Sequence, residues 1–205
     1  MTINPRETAV LALHWEADVV TSEGAFGPFF AEMVKTTGVI ARTAHVLSRA
    51  RSAGMPIIYT RVCFRPGYPD LIVNNPLFGL TAEKMALIDG MPGAEIIPEL
   101  APQPGDFVID HRRVTAFHGT ELNTLLKRQG ITTLALTGVA TNLTVEGTAR
   151  EASNEGYNVI ILADCCSAAS PEIHQASLET LGILCSSVTN ADEFLKNIIV
   201  SPPGI

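Results

Sequence analysis

The sequence predicts an α/β protein with three layers, α/β/α, built on an open, doubly wound, six-stranded and mostly parallel sheet. Three observations predict it. Short apolar runs rich in β-branched residues alternate along the chain with longer stretches of helical period. The runs are apolar almost without interruption, as in Val159-Ile160-Ile161-Leu162-Ala163, which suits strands covered on both faces. Strands that alternate with helices connect by right-handed crossovers into an open, doubly wound sheet.

In chain order the strand candidates are Thr8–His14, Ile57–Cys63, Asp106–Asp110, Thr133–Thr137, Asn158–Ala163 and Leu184–Val188. Between the first two, Ile40, Ala44 and Leu47 share a helix face, and that helix stops at Gly54-Met55-Pro56. Thr120 is a good N-cap for a helix that ends before Gly130, and Thr141 or Asn142 opens another that runs to Glu155 and closes at Gly156. Ser170-Pro171-Glu172 combines a cap, a first-turn proline and an acid matched to the helix dipole, and the helix it starts ends at Gly182. The last helix runs from near Asn190 to about Asn197, and the tail from Ser201 to Ile205 reads as loose. One stretch breaks the rhythm, from Phe64 to about Pro104, with a single short helical piece around Ala82–Ile88. An excursion of that length inside a compact domain is expected to be a lid or a partner contact. Residues 1–205 read as a single domain.

Composition narrows the function. The chain of 205 residues is 46% hydrophobic and 17% charged, enough to close one core without disulfides. Fourteen basic residues against twenty-one acidic ones, a net charge of −7, argue against a nucleic-acid or anionic-membrane partner, both of which need a positive field. Mean hydropathy is high at +0.24, yet no apolar run approaches the roughly 18 residues of a membrane span, so the excess apolar surface points to an oligomer interface. The opening Met1-Thr2-Ile3-Asn4-Pro5-Arg6-Glu7 lacks the pattern of a signal peptide. Cys63, Cys165, Cys166 and Cys185 form no C-x-x-C pair, so reduced thiols and a cytoplasmic location are expected.

In doubly wound sheets ligands bind outside the carboxyl ends of the strands. The residues there are His14-Trp15-Glu16, then Arg61 to Arg65, then Asp110-His111-Arg112-Arg113, then Gly138 to Thr144, then Asp164-Cys165-Cys166. His14 and His111 lie on that rim, and Thr144 falls in the first turn of a helix, where free N–H groups favour negative charge. A hydroxyl at such a helix end facing two imidazoles suits acyl transfer or hydrolysis. Taken singly, each residue has a plainer reading: a strand-end histidine in a structural hydrogen bond, a first-turn threonine, a surface Asp110–His111 pair. Their convergence on one rim favours a site. His14, His111 and His118 show no recognised metal-ligand spacing, His45 and His174 lie on helices without evident chemistry, and Gly138–Thr141 is not a phosphate loop, so no metal or other cofactor is expected.

Several motifs then match a known family in order. Thr8-Ala9-Val10-Leu11-Ala12-Leu13 followed by Glu23-Gly24-Ala25-Phe26, Phe117-His118-Gly119-Thr120-Glu121-Leu122, and Thr137-Gly138-Val139-Ala140-Thr141-Asn142 continuing through Val145-Glu146-Gly147-Thr148-Ala149-Arg150 resemble the isochorismatase-like hydrolases, also called cysteine hydrolases. The resemblance runs from about Thr8 to Phe194. It implies a Rossmann-like parallel sheet, a homodimer or homotetramer, and hydrolysis of a small amide or carbamoyl group or cleavage of a vinyl ether. The family's first strand ends in an Asp followed two residues later by Gln, where this chain has His14 and Glu16. Its catalytic Lys is His111 here, and its nucleophilic Cys is Thr144. It also places a non-proline cis peptide near Val139-Ala140, aiming the Ala140 and Thr144 amides as an oxyanion hole.

The substitutions close the thiolate route, since threonine is a far weaker nucleophile and needs a well-placed base. The leading expectation is a hydrolase of a small amide, ester or enol ether, in which His14 and His111 do acid–base work and Thr144 is the nucleophile or orients water. Trp15, Glu16, Phe26, Phe64, Tyr68 and Phe117 are expected around its substrate, with Arg65 or Arg112 available for a carboxylate. The alternatives are a non-catalytic relative that binds a small molecule or serves in an assembly, and a hydrolase in which His14 and His111 hold a metal.

Overall fold

The computed structural model describes residues 2–199, so the tail from Ser201 lies outside the described residues. Six strands form one sheet: β1 (Thr8–Leu13), β2 (Ile57–Val62), β3 (Phe107–His111), β4 (Thr133–Val139), β5 (Asn158–Ser167) and β6 (Ser187–Thr189). Their order is β3-β2-β1-β4-β5-β6, and every neighbouring pair is parallel. All six residues of β1 and all seven of β4 are buried, as uninterrupted apolar runs at the centre of a sheet require.

Side-chain alternation divides the core between the two faces. Val10, Ala12, Ile57, Tyr59, Ala135, Ile160 and Leu162 point to one layer, which holds helices α1 (Ala17–Val20), α2 (Gly27–Thr37), α3 (Val39–Ser52), α4 (Pro76–Glu83) and α8 (Ala191–Lys196). Ala9, Leu11, Leu13, Ile58, Leu134, Leu136 and Ile161 point to the other, under α5 (Leu122–Arg128), α6 (Glu146–Asn154) and α7 (Pro171–Leu184). Each fully buried aliphatic side chain contributes about 1.5–3 kcal/mol, so this pair of cores is what makes the sheet the rigid frame of the molecule.

The structure moves several boundaries. The first, second, third and fourth strands shift by one or two residues at an end, which hydrogen bonding rather than composition decides. Strand β5 runs four residues beyond Ala163, because the register slips after Leu136–Ile161 and resumes at Gly138–Cys166. The rim residues Asp164, Cys165 and Cys166 are therefore inside a strand. Helix α7 passes through Gly182, whose missing side chain faces open space, and ends at Cys185, whose N–H donates to the Leu181 carbonyl; β6 starts at Ser187 instead of Leu184.

In the excursion, α4 occupies Pro76–Glu83 rather than Ala82–Ile88, because the Asn75 side chain caps the Phe78 N–H and Pro76 opens the first turn. Beyond it, Met85 and Leu87 take left-handed conformations that no helix tolerates, with φ of 50° and 58°. Helices α1 and α2, hidden behind Gly24 and Gly27-Pro28, have no counterpart in the sequence reading. The excursion is stitched to the frame at both ends. Phe64 N–H donates to Leu87 O and Asp89 N–H to Phe64 O, while Ala17 N–H donates to Glu95 O and Ile97 N–H to Trp15 O. No helix among the described residues is long and apolar enough to cross a membrane.

Candidate active site

The chain order reverses between β1 and β4, and the crevice of a doubly wound sheet opens at that switch point, beyond the strands' carboxyl ends. His14 follows β1 directly, with its N–H donating to the Thr60 carbonyl of β2. Thr144 lies on the far side, in a π turn (Thr141–Val145) that leads from β4 into α6. His111 is the last residue of β3, in register with Val62 of β2.

These elements bring three polar side chains together inside the protein. His14 Nε2 is 3.0 Å from His111 Nε2 and 3.2 Å from Thr144 Oγ1. His14 and His111 are 8% and 2% exposed and Thr144 is fully buried, so water does not screen the contacts. His14 has φ of 55°, a left-handed backbone that is uncommon outside glycine and clusters at functional positions. One neutral imidazole nitrogen has one lone pair, so the His111 and Thr144 protons compete for His14 Nε2 whenever it is unprotonated. His111 Nδ1 is buried and makes no hydrogen bond of ordinary geometry.

Burial dominates the electrostatics. His14 is held well below the usual imidazole pKa, first by desolvation and then by repulsion from His111. His111 falls to about 4, again chiefly by desolvation, which the Arg113 backbone and the Asp110 charge only partly offset. Both rings are therefore neutral at pH 7. Glu16, two residues along, is fully buried; desolvation raises it to about 8 despite the Val62 N–H that donates to its Oε1 at 2.6 Å, and its Oε2 has no partner.

A cavity opens on His14 and Thr144, with His111 behind them and off its wall; it holds about 480 Å³ of empty space that includes its solvent-open mouth. His14 and Thr144 lie on one side with Ala140, and Val19, Phe26, Phe30, Val62, Leu77, Phe78, Leu87 and Leu143 make the wall apolar. The Val139–Ala140 peptide is cis, and the Ala140 N–H has no hydrogen bond within the described residues.

The structure gathers only some of the residues expected around a substrate. Phe26 lines the cavity. Trp15 is a core residue instead, its indole N–H reaching Thr137 Oγ1 at 3.4 Å, and Glu16 is buried against β2. Phe64 packs under the excursion against Tyr68 and Phe78, and the Tyr68 hydroxyl donates to the Ala86 carbonyl. Phe117 belongs to the opposite layer, beside Tyr157, because its loop turns back over α6. Arg65 and Arg112 both face Asp70, at 3.5 and 2.7 Å. The cavity is also lined by Leu77, Phe78, Thr81 and Leu87, which belong to the displaced helix and the turns after it, and by Arg113 of the rim; no local signal in the sequence marks them.

Among the described residues, one trio of potential metal ligands has donor atoms within 4.8 Å of one another: Cys63, Asp89 and Asp110. It includes neither His14 nor His111, and the Arg61 guanidinium already lies 3.6 Å from Asp89 and 2.8 Å from Asp110. Desolvation pushes the Cys63 thiol up to about 12, which disfavours the thiolate a metal would require.

Comparison with known proteins identifies the family and the fold. Residues 8–193 match the family profile described as isochorismatase domain. The ureidoacrylate amidohydrolase RutB of Methylobacterium radiotolerans is 33% identical over 175 residues, covering 78% of this chain and 68% of that protein. An uncharacterized isochorismatase family protein, YecD of Escherichia coli O157:H7, is 29% identical over 96% of this chain and 98% of its own. The crystal structure of a cysteine hydrolase from Pseudomonas syringae pv. phaseolicola 1448A superposes with a TM-score of 0.85 at 26% identity, covering 96% of this chain and 94% of that one.

Proposed function

The chain belongs to the isochorismatase family of hydrolases, and from that premise we propose that it hydrolyses a small acyl substrate, an amide or ester, with Thr144 as nucleophile and His14 as its base. One observation carries the reading: a buried hydroxyl and a buried neutral imidazole, 3.2 Å apart, on the wall of an apolar cavity. Neutral imidazoles suit base catalysis better than acid catalysis, so an acyl group fits the site better than an enol ether, whose cleavage begins with protonation.

In this reading Thr144 Oγ adds to the substrate carbonyl carbon as its proton passes to His14 Nε2. The oxyanion takes a hydrogen bond from the free Ala140 N–H and the Thr144 amide. His14 then returns the proton to the leaving nitrogen or oxygen as the bond to the acyl carbon breaks. A water molecule attacks the Thr144 ester, gives its proton to His14, and releases the acid and the free hydroxyl. While His14 is protonated, its Nε2–H donates to His111 Nε2, which accepts when His111 is the Nδ1–H tautomer. The charge then stays shared between the two rings. Relatives named ureidoacrylate amidohydrolase make an amide or carbamoyl bond the first to try.

The test is turnover across a panel of small amides, carbamoyl compounds and esters, with intact-mass detection of an acyl adduct. His14→Ala lowers kcat/KM by about 10²–10⁴, the usual cost of a lost acid–base group. Thr144→Val abolishes the adduct while Thr144→Ser retains it. Full turnover in Thr144→Val would show that water is the nucleophile. No turnover from any substrate would leave a non-catalytic binder.

A further inference from the structure

We propose that Arg113 is the specificity residue of the cavity and that the ligand it selects is a small monocarboxylate with an apolar body. The proposal deepens the hydrolase reading by naming the class of its substrate, and rests on that reading only for the bond that reacts.

The arginines near the site are not equivalent. Arg61 is bound by Asp89, Glu95 and Asp110, and Arg65 and Arg112 share Asp70. Arg113 lines the cavity and has no carboxylate within ion-pair distance among the described residues. Its two hydrogen bonds go to neutral oxygens, from Nη1 to the Ile72 carbonyl at 3.3 Å and from Nη2 to Asn74 Oδ1 at 3.0 Å. A guanidinium has five N–H donors, so donors remain for a ligand.

The setting favours an anion. The guanidinium carbon lies 4.5 Å from the centroid of the Phe78 ring, a cation–π contact that restrains the side chain at the cavity wall. With His14 neutral, Arg113 is the only formally charged side chain among the described residues on the cavity wall, and Leu77, Val114 and Leu143 on the same wall are apolar. A single positive charge at an apolar wall is best complemented by a single carboxylate, whose two oxygens match the fork and whose attraction is weakly screened there. Hydrocarbon in the rest of the ligand would cover Phe26, Phe30 and Leu87, while the acyl group faces Thr144.

Arg113 also ties residues 72–74 to the end of β3, and a strap of that kind would alter stability and all binding alike. Charge selectivity separates the two roles. Titration calorimetry at pH 7 compares phenylacetate with phenylacetamide, near-isosteres that differ in charge, on the wild type, Arg113→Gln and Arg113→Lys. The wild type is expected to prefer the acid by about 30- to 100-fold, the worth of one charge-assisted bidentate contact. Arg113→Gln should cut that preference at least tenfold, and Arg113→Lys, a point charge without the fork, should keep part of it. A preference that changes less than threefold in Arg113→Gln overturns the proposal. So does a wild type that prefers the amide, or that binds no phenylacetate up to about 10 mM. If Arg113→Gln does not fold, the wild-type preference and its reduction in Arg113→Lys decide the matter, and an undiminished preference in Arg113→Lys counts against the fork. Affinity and turnover are measured in separate assays, with the phenylacetamide titrations checked for released phenylacetate, so the two readings fail separately: a flat acid-to-amide ratio removes Arg113, and absence of turnover removes the hydrolase.

Discussion

His14 is held where few side chains would settle, with a left-handed backbone and its Nε2 in contact with both His111 and Thr144. Its working form as a base is the neutral ring, and activity is lost as pH falls through its lowered pKa. The acid limb of kcat/KM should therefore lie well below pH 6.5, with a flat profile across neutrality. Since repulsion from His111 is the second cause of that depression, His111→Gln should move the limb upward while leaving burial in place. A limb that stays put in His111→Gln would mean that the two rings do not communicate.

These residues were legible from the sequence because strand ends in a doubly wound sheet mark the site and because the family's motifs fall on the same positions. Arg113 was not. Nothing in Asp110-His111-Arg112-Arg113 distinguishes the arginine that reaches the cavity from its neighbour, and only the position of Asp70 in the excursion makes Arg112 the paired one.

At the scale of elements, the ends of β1 and β4 approach closely where Leu13 pairs with Gly138. Gly138 has φ of 148°, and a Cβ there would lie 2.3 Å from the Leu13 carbonyl oxygen, a backbone atom that cannot give way. Gly138→Ala should push the two strand ends apart and with them His14 and Thr144. The expected loss is about 3 kcal/mol or more, seen as a fall in Tm of about 6–12 °C, with activity falling further than stability alone explains. A variant with unchanged Tm would show that the strand ends have slack.

The sheet and the main crossover helices could be read from apolar runs and caps, since those signals are local. The excursion could not. Asn75-Pro76 is a helix start in plain view, but the φ values that end α4 and the bridges from Phe64 to Ile88 and from Glu16 to Ile96 depend on partners distant in sequence.

Three buried side chains set opposing pH trends for the whole molecule. Glu16 is raised from 4.5 to about 8, so its contribution is fully present below pH 4.5 and is lost as pH climbs toward 8. His14 and His111 are lowered from 6.5, so theirs is present above pH 6.5 and is lost as pH falls through the depressed values. Denaturant melts should therefore show declining stability on both sides of an interval near pH 4.5–6.5. Glu16→Gln should remove the alkaline decline, and by pH 8 it should exceed the wild type by several kcal/mol, at most about 5. Equal alkaline slopes in the two proteins would show that Glu16 ionises freely in the fold. Assembly is a further expectation at this scale. Exposed Ile72, Val73, Met85 and Met91 on the excursion offer apolar surface, and light scattering should give the mass of a dimer or tetramer. A monomer at every concentration would refute it.

By itself the sequence determined the layer architecture, the acidic charge that argues against nucleic acid, and the three rim positions on which the site is proposed. Each follows from local patterning or from motifs read in order. The tertiary structure alone decided that His14 faces both His111 and Thr144, that burial keeps the imidazoles neutral, and that Arg113 rather than Arg112 borders the cavity. Distances, desolvation and the pairing of charges depend on which segments meet, and residues a hundred positions apart meet only when the chain folds.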